Sequence, residues 1–213
     1  KNIGDNVITT LNTNLQSAAY NALGNNKGAV VVLEPSTGKV LAMVSKPSFD
    51  ANTVSENWNN LINDSDSVLV NRATQGQYAP GSIFKLVTTL SFMRQNSDYE
   101  AYLNDCTGEV TVDGTTIHCY ANQAHGQETL ADALANSCNT AFSGIGLQLD
   151  ISKWQDTAKD LLFNTNLKCD LIANQSSFSL DKNADSASIM MTAIGQGDTL
   201  VSPYHMAMIT AAI

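Results

Sequence analysis

Apolar and polar positions come in blocks along the chain, and the blocks predict its elements. In "VITTLNTNLQSAAYNAL" the apolar positions Leu11, Leu15, Ala18, Ala19 and Ala22 recur at helical spacing, and Gly24 closes the run. The period changes in "GAVVVLEPSTGKVLAMVSK". Ala29 to Leu33 is a continuous apolar strand, Pro35 to Gly38 carries turn chemistry, and Lys39 to Ser45 returns as a second strand. Two strands alone are marginal, so this hairpin requires more strands or a helix against it. "DANTVSENWNNLINDSDS" is polar and reads as loop with a short helix. From Ser82 to Arg94 the chain is apolar on most sides, as suits a helix at the centre of a domain. "TGEVTVDGTTIH" has the Asp113-Gly114 pair of a tight hairpin. Thr129 and Asp132 fit a capping box, and "TAFSGIGLQL" continues as helix. "SKWQDTAKDLLF" is amphipathic, with Trp154, Ala158, Leu161 and Leu162 on one face. "SASIMMTAIGQGD" reads as a helix stopped at Gly195, and another begins after Pro203. Helix, hairpin, then a long helical block make an α+β chain with segregated parts.

Composition narrows this picture in three ways. With 213 residues, 43% of them hydrophobic, the chain can build one good core or two small lobes. Its net charge of −9 argues against a nucleic-acid groove, which needs Lys and Arg against phosphates. No apolar run approaches the ~18–20 residues that span a membrane. The start "KNIGDNVITT" lacks an initiator Met and a signal-like run, so the chain reads as an excised soluble piece of something longer.

Four cysteines are present, Cys106, Cys119, Cys138 and Cys169, and none forms a C-x-x-C pair. That spacing speaks against a zinc site, and neither a metal nor any other cofactor is expected. Cys106 and Cys119 flank the Asp113-Gly114 hairpin and can face each other, either as a disulfide or as two buried thiols; the compartment decides between them.

The chemistry concentrates in "YAPGSIFKLVTTL", where Ser82 precedes Lys85 by three positions. On a helix such positions share a face. A serine hydroxyl needs a base, and a lysine serves as one only if burial lowers its pKa from ~10.4. Phe84, Leu86 and Val87 supply apolar neighbours, so Lys85 is expected to be buried and neutral. Gly81 leaves room for a substrate backbone, and the first turn offers N–H groups to an oxyanion. In "ANSCNTAF", Ser137 and Asn139 alternate in what reads as an extended or turn segment, so both side chains can enter one cleft. Taken singly, each pattern equally describes ordinary helix caps.

Together they resemble the penicillin-binding protein transpeptidase family, whose signatures include S-x-x-K and S-x-N. Ser82-Ile83-Phe84-Lys85 matches the first and Ser137-Cys138-Asn139 the second. "GAVVVLEPSTGKVLAMVSKPSFDAN" is similar to the first hairpin of that domain, and "NRATQGQYAPGSIFKLVTTL" to its nucleophile segment. "HGQETLADALANSCNTAF" resembles the run into the second motif, and "IGQGDTLVSPYHMAMITAAI" the stretch before the third. The opening helix is most like that of the class B, monofunctional enzymes.

The resemblance implies one stretch of transpeptidase domain over 1–213. Residues 1–50 would form the N-terminal helix and first hairpin, and 51–213 a mainly helical part with both motifs. It implies D,D-transpeptidation of peptidoglycan stem peptides ending in D-Ala-D-Ala, with β-lactams as covalent ligands. Ser82 would be the nucleophile, Lys85 the base and Ser137 a proton shuttle. Asn139 would bind Lys85 and the substrate amide, and Gly81 and Ser82 would line the substrate. It also implies an extracytoplasmic protein anchored to the cell membrane by a segment upstream of Lys1, working with cell-wall synthesis or division proteins.

One departure stands out: no K-T-G, K-S-G or H-T-G follows Asn139. The 213 residues alone are therefore expected to be catalytically incomplete, with the Ala29–Ser45 hairpin left uncovered by the rest of its sheet. Other readings compete. A β-lactam sensor or a non-catalytic penicillin-binding module would carry the same two motifs. A serine β-lactamase would need a carboxylate for deacylation; Glu100 to Asn104 fits E-x-x-L-N but precedes Ser137, the wrong order. A Ser-His-Asp hydrolase would use His118, His125 or His205, but the chain has no G-x-S-x-G elbow.

Overall fold

The computed structural model describes residues 4–213. In chain order its elements are α1 (Thr13–Ala22), β1 (Gly28–Leu33), β2 (Val40–Lys46), α2 (Val54–Ile62), α3 (Lys85–Gln95), β3 (Leu103–Cys106), β4 (Glu109–Val112), β5 (Thr115–His118), β6 (Gly126–Thr129), α4 (Leu130–Ala135), α5 (Asn139–Gln148), α6 (Ile151–Asp160), α7 (Ser186–Ala193) and α8 (Pro203–Ala212). Strands pair antiparallel as β1–β2, β3–β6 and β4–β5. This is the expected α+β arrangement. Two compact units share the chain: one takes the residues up to Gln77 with Leu167–Asn174 and Ser202–Ile213, the other Tyr78–Asn166 with Gln175–Val201.

In the first unit, helices meet the need of the lone hairpin for a partner. α1 packs against β2 and α8 against β1. The α1 contact is polar as well as apolar. Asn12 caps the helix by accepting from the Asn14 and Leu15 N–H groups. One turn on, the Gln16 amide donates to the Met43 carbonyl at 2.7 Å and accepts from the Met43 N–H at 2.8 Å, so a side chain completes an edge of β2. Only Ala42 and Val44 of the hairpin are fully buried, while β1 is half-buried along its length. α8 starts where Ser202 accepts from the His205 N–H and Pro203 fills the first turn, where a missing N–H costs nothing.

In the second unit the core forms around Phe84. Its ring lies 5.8 Å from Phe163, 5.9 Å from Phe178 and 6.5 Å from Trp154. All four are buried and come from separate segments, so the cluster ties α3, α6 and the chain after α6 together. The amphipathic reading of 152–163 needs one correction. α6 stops at Asp160, Leu162 adopts φ +69° and is 38% exposed, and Phe163 takes the buried place instead. The hairpin at Asp113-Gly114 forms as its sequence predicts, with both residues at positive φ. The capping box at Thr129 and Asp132 is also present.

Candidate active site

Ser82 lies in a 3-10 turn, Gly81–Phe84, that leads into α3. Such a turn repeats every three residues, so side chains three apart eclipse. Lys85 therefore stacks under Ser82, with Nζ 3.4 Å from Oγ. The turn is fixed at both ends. Phe84 plugs it into the aromatic cluster below. Above, the Gly81 N–H donates to the Gly195 carbonyl at 2.8 Å. That approach demands glycine: a Cβ on Gly195 would sit 2.0 Å from the Gly81 oxygen, and φ there is +75°. Ser82, the expected nucleophile, is exposed.

Lys85 is 0% exposed. Its ammonium donates to Asn139 Oδ1 at 2.6 Å, to the Ser137 carbonyl at 2.7 Å and to Ser137 Oγ at 3.0 Å. The Phe142 ring lies 5.5 Å away. Burial lowers the lysine from 10.5 to about 8, against an opposing pull from the Cys138 and Cys119 thiols. The expected burial is there. It shifts the lysine in the expected direction, toward the neutral form.

Ser137 takes the turn alternative of the extended or turn segment expected of it. α4 ends just before it, the Ser137 N–H bonds the Leu134 carbonyl, and the Cys138 N–H bonds that of Ala133. This closure puts Ser137 at φ +53°, a left-handed conformation that costs a non-glycine residue roughly 1–3 kcal/mol. In return the exposed Ser137 hydroxyl and the Asn139 amide both turn toward Lys85. Asn139 opens α5, and its Nδ2 donates to the His118 carbonyl at 2.8 Å, which fixes the amide with its oxygen toward the lysine. Ser82, Lys85, Ser137 and Asn139, drawn from two distant stretches, thus form one connected hydrogen-bond group.

Comparison with known proteins shows the family. The family model "Penicillin binding protein transpeptidase domain" matches residues 28–213. The chain belongs to this family. It is 34% identical over 227 aligned residues to the peptidoglycan D,D-transpeptidase PbpA of Mycolicibacterium smegmatis, covering 99% of this chain and 46% of that protein. The ceftriaxone acyl-enzyme of penicillin-binding protein A from M. tuberculosis superposes with a TM-score of 0.87 at 31% identity, over 96% of this chain and 49% of that one. A penicillin-binding protein 2 from Helicobacter pylori, solved in complex with MreC, gives 0.84 at 25% identity, over 92% and 40%. The chain spans about half the length, or less, of the relatives it matches.

This transpeptidase domain also holds a side-chain cluster that its sequence did not reveal. Cys106 and Cys119 do face each other, but at 3.7 Å between sulfurs and without a disulfide. Cys138, the middle residue of the second motif, lies 3.8 Å from Cys119, and His125 Nδ1 lies 3.4 Å from Cys106. Behind them Glu128 is 1% exposed, accepts from Asn136 Nδ2 and stands 3.7 Å from His125 Nδ1. Burial and the Glu128 carboxylate push the Cys138 thiol up. Burial acts the same way on Cys106, but hydrogen bonds, led by that of Thr140, outweigh it and bring the thiol down to about 6. Two of the three histidines are thus committed elsewhere than to a serine: His118 pairs with Glu109 at 3.2 Å, and His125 joins the thiols.

Proposed function

We propose that the whole protein is a peptidoglycan D,D-transpeptidase in which Ser82 carries the acyl group. The observation that supports this most is a fully buried lysine bonded at once to Ser137 and Asn139 beneath an exposed Ser82. Neutral Lys85 takes the Ser82 proton as Oγ attacks the carbonyl of the penultimate D-Ala. The Ser82 N–H receives part of the oxyanion charge. As the C–N bond breaks, the proton passes by way of Ser137 to the departing D-Ala amine. The Asn139 amide holds Lys85 and the substrate amide, and Gly81 keeps the approach open. An amine from a second stem peptide then attacks the ester, gives up a proton and frees Ser82. A β-lactam follows the first half and stays attached.

Residues outside these 213 would bind the substrate carboxylate and complete the oxyanion site, the task of the third motif. In this reading 1–50 and 51–213 are two parts of a single transpeptidase domain. Among the described residues no helix is long and apolar enough to cross a membrane. An extracytoplasmic protein anchored through a segment upstream of Lys1 follows from the family reading. Cell-wall synthesis proteins are its proposed partners, in line with the MreC complex of the H. pylori relative.

The test is acylation of the whole protein by a fluorescent penicillin, with the adduct located by peptide mass spectrometry. One adduct on Ser82, absent in Ser82→Ala, is expected. An adduct elsewhere refutes the assignment, and steady β-lactam turnover indicates a β-lactamase instead. The isolated 213 residues are expected to label far more slowly.

A further inference from the structure

Four side chains from four separate segments meet beside the catalytic turn. Cys106 ends β3, Cys119 follows β5, His125 precedes β6, and Cys138 caps α5. Their ligating atoms all lie within 4.8 Å of one another. The spacing is that of a coordination polyhedron. A tetrahedral zinc with Zn–S of about 2.3 Å and Zn–N of about 2.0–2.1 Å has S···S edges of ~3.8 Å and S···N edges of ~3.5 Å. Three of the six edges are 3.7 and 3.8 Å between sulfurs and 3.4 Å from sulfur to nitrogen, and the other three lie within the 4.8 Å limit. A disulfide would need ~2.05 Å.

The surroundings suit a cation. All three thiols are buried, and the Ala141 N–H points at Cys138 Sγ from 3.5 Å. Glu128 brings a buried carboxylate to the same place, and its Oε2 lacks a hydrogen-bond partner among the described residues. A nearby positive ion would offset this buried acidity. The ligands follow C-x12-C-x5-H-x12-C, which contains no C-x-x-C pair, and that is why the sequence argued against zinc.

We propose that Cys106, Cys119, His125 and Cys138 bind one zinc ion in a closed structural site, and that this ion holds the turn carrying Ser137 and Asn139. Each thiol gives up its proton on binding. Four protein ligands leave no open position, so the ion takes no part in acyl transfer. Its link to the site is mechanical. Cys138 stands between Ser137 and Asn139, and Cys119 follows His118, whose carbonyl holds the Asn139 amide. The ion therefore grips both sides of Asn139. Only this positioning role rests on the function proposed above; the metal site stands on its own geometry.

The test begins with metal analysis of the whole protein purified without chelator, where one zinc per chain is expected. Reduced apoprotein titrated with Co2+ should show the visible bands and sulfur-to-metal charge transfer of tetrahedral thiolate coordination. Cys119→Ala should lose the ion, and Cys119→Asp, which keeps a ligand, should bind it more weakly. Removing zinc from the wild-type protein should slow penicillin acylation at least tenfold, and zinc should restore it. A Cys106–Cys119 disulfide in the purified protein, or apoprotein that takes up neither Zn2+ nor Co2+, overturns the site. A bound ion whose removal leaves acylation unchanged overturns its positioning role. A protein that binds zinc but is never acylated refutes the Ser82 assignment instead.

Discussion

Acylation of Ser82 should track the deprotonation of Lys85. Only the neutral amine can accept the Ser82 proton, so the perturbation is pH and the magnitude follows from the lowered lysine. With its value brought from 10.5 to about 8 by burial, roughly a tenth of Lys85 is neutral at pH 7. A lysine at 10.5 would be neutral in only about 1 in 3000 molecules, so burial raises the active form ~300-fold. Below the shifted value each pH unit removes about nine-tenths of the neutral form. The acylation rate should therefore rise ~10-fold per unit up to about pH 7.5, reach half its limit near pH 8 and level off above about pH 9. Stopped-flow acylation by a fluorescent penicillin from about pH 5.5 to about pH 9.5, at constant ionic strength, measures this. Lys85→Arg keeps the charge without a usable base and should lose the rise. A flat profile between about pH 6 and pH 8, or a rise that continues without a plateau, would refute the argument.

Three substitutions test the supports of the site. Gly195→Ala places a methyl against the Gly81 oxygen at positive φ, and denaturant melts should show a loss of ~2–4 kcal/mol with slower acylation. Phe84→Ala empties the centre of the aromatic cluster and should cost ~3–5 kcal/mol by the same melts. Ser137→Ala removes one acceptor of the Lys85 ammonium but leaves the carbonyl, and acylation should fall ~10–100-fold, the equivalent of about 1.5–3 kcal/mol. Unchanged kinetics there would remove Ser137 from the proton path.

Local signals in the sequence were reliable where one short segment decides the outcome. The Thr129 capping box, the Asp113-Gly114 turn and the Gly195 stop each depend on a few adjacent residues. The Ser82–Lys85 and Ser137–Asn139 pairs were legible as motifs for the same reason. What the sequence could not give was convergence. Gly195 looked like a helix stop, yet its larger task is to let the Gly81 backbone in, across more than a hundred positions. Phe178 sits in an irregular stretch with no periodicity, so its place beside Phe84 had no signature. For Ser137 the sequence leaves extended and turn conformations both open, because the left-handed turn it adopts is stabilised by the end of α4 and by Lys85. Cys138 reads as the middle of its motif and as one of four cysteines without a C-x-x-C pair. The one available clue was its presence alongside the Cys106–Cys119 hairpin pair.

Burial lowers Lys85, and the choice of acceptors around it leaves that lowering in place. Asn139 Oδ1, the Ser137 carbonyl and Ser137 Oγ are all neutral. They orient the ammonium without the Coulomb attraction that would hold the proton on. A carboxylate at the same distance would favour the charged form by ~1–3 pKa units. Asn139→Asp makes that change at nearly constant shape, keeping the acceptor for Lys85 and losing the donor to the His118 carbonyl. It should move the acylation midpoint from near pH 8 upward by that amount and slow acylation at pH 7 by ~10–1000-fold. Asn139→Ala loses that donor and also the Oδ1 acceptor of the Lys85 ammonium, without adding charge, so it should slow acylation without raising the midpoint. The pH profiles of the two variants separate charge from positioning. A midpoint that stays near pH 8 in Asn139→Asp would mean that Lys85 is not the group being titrated.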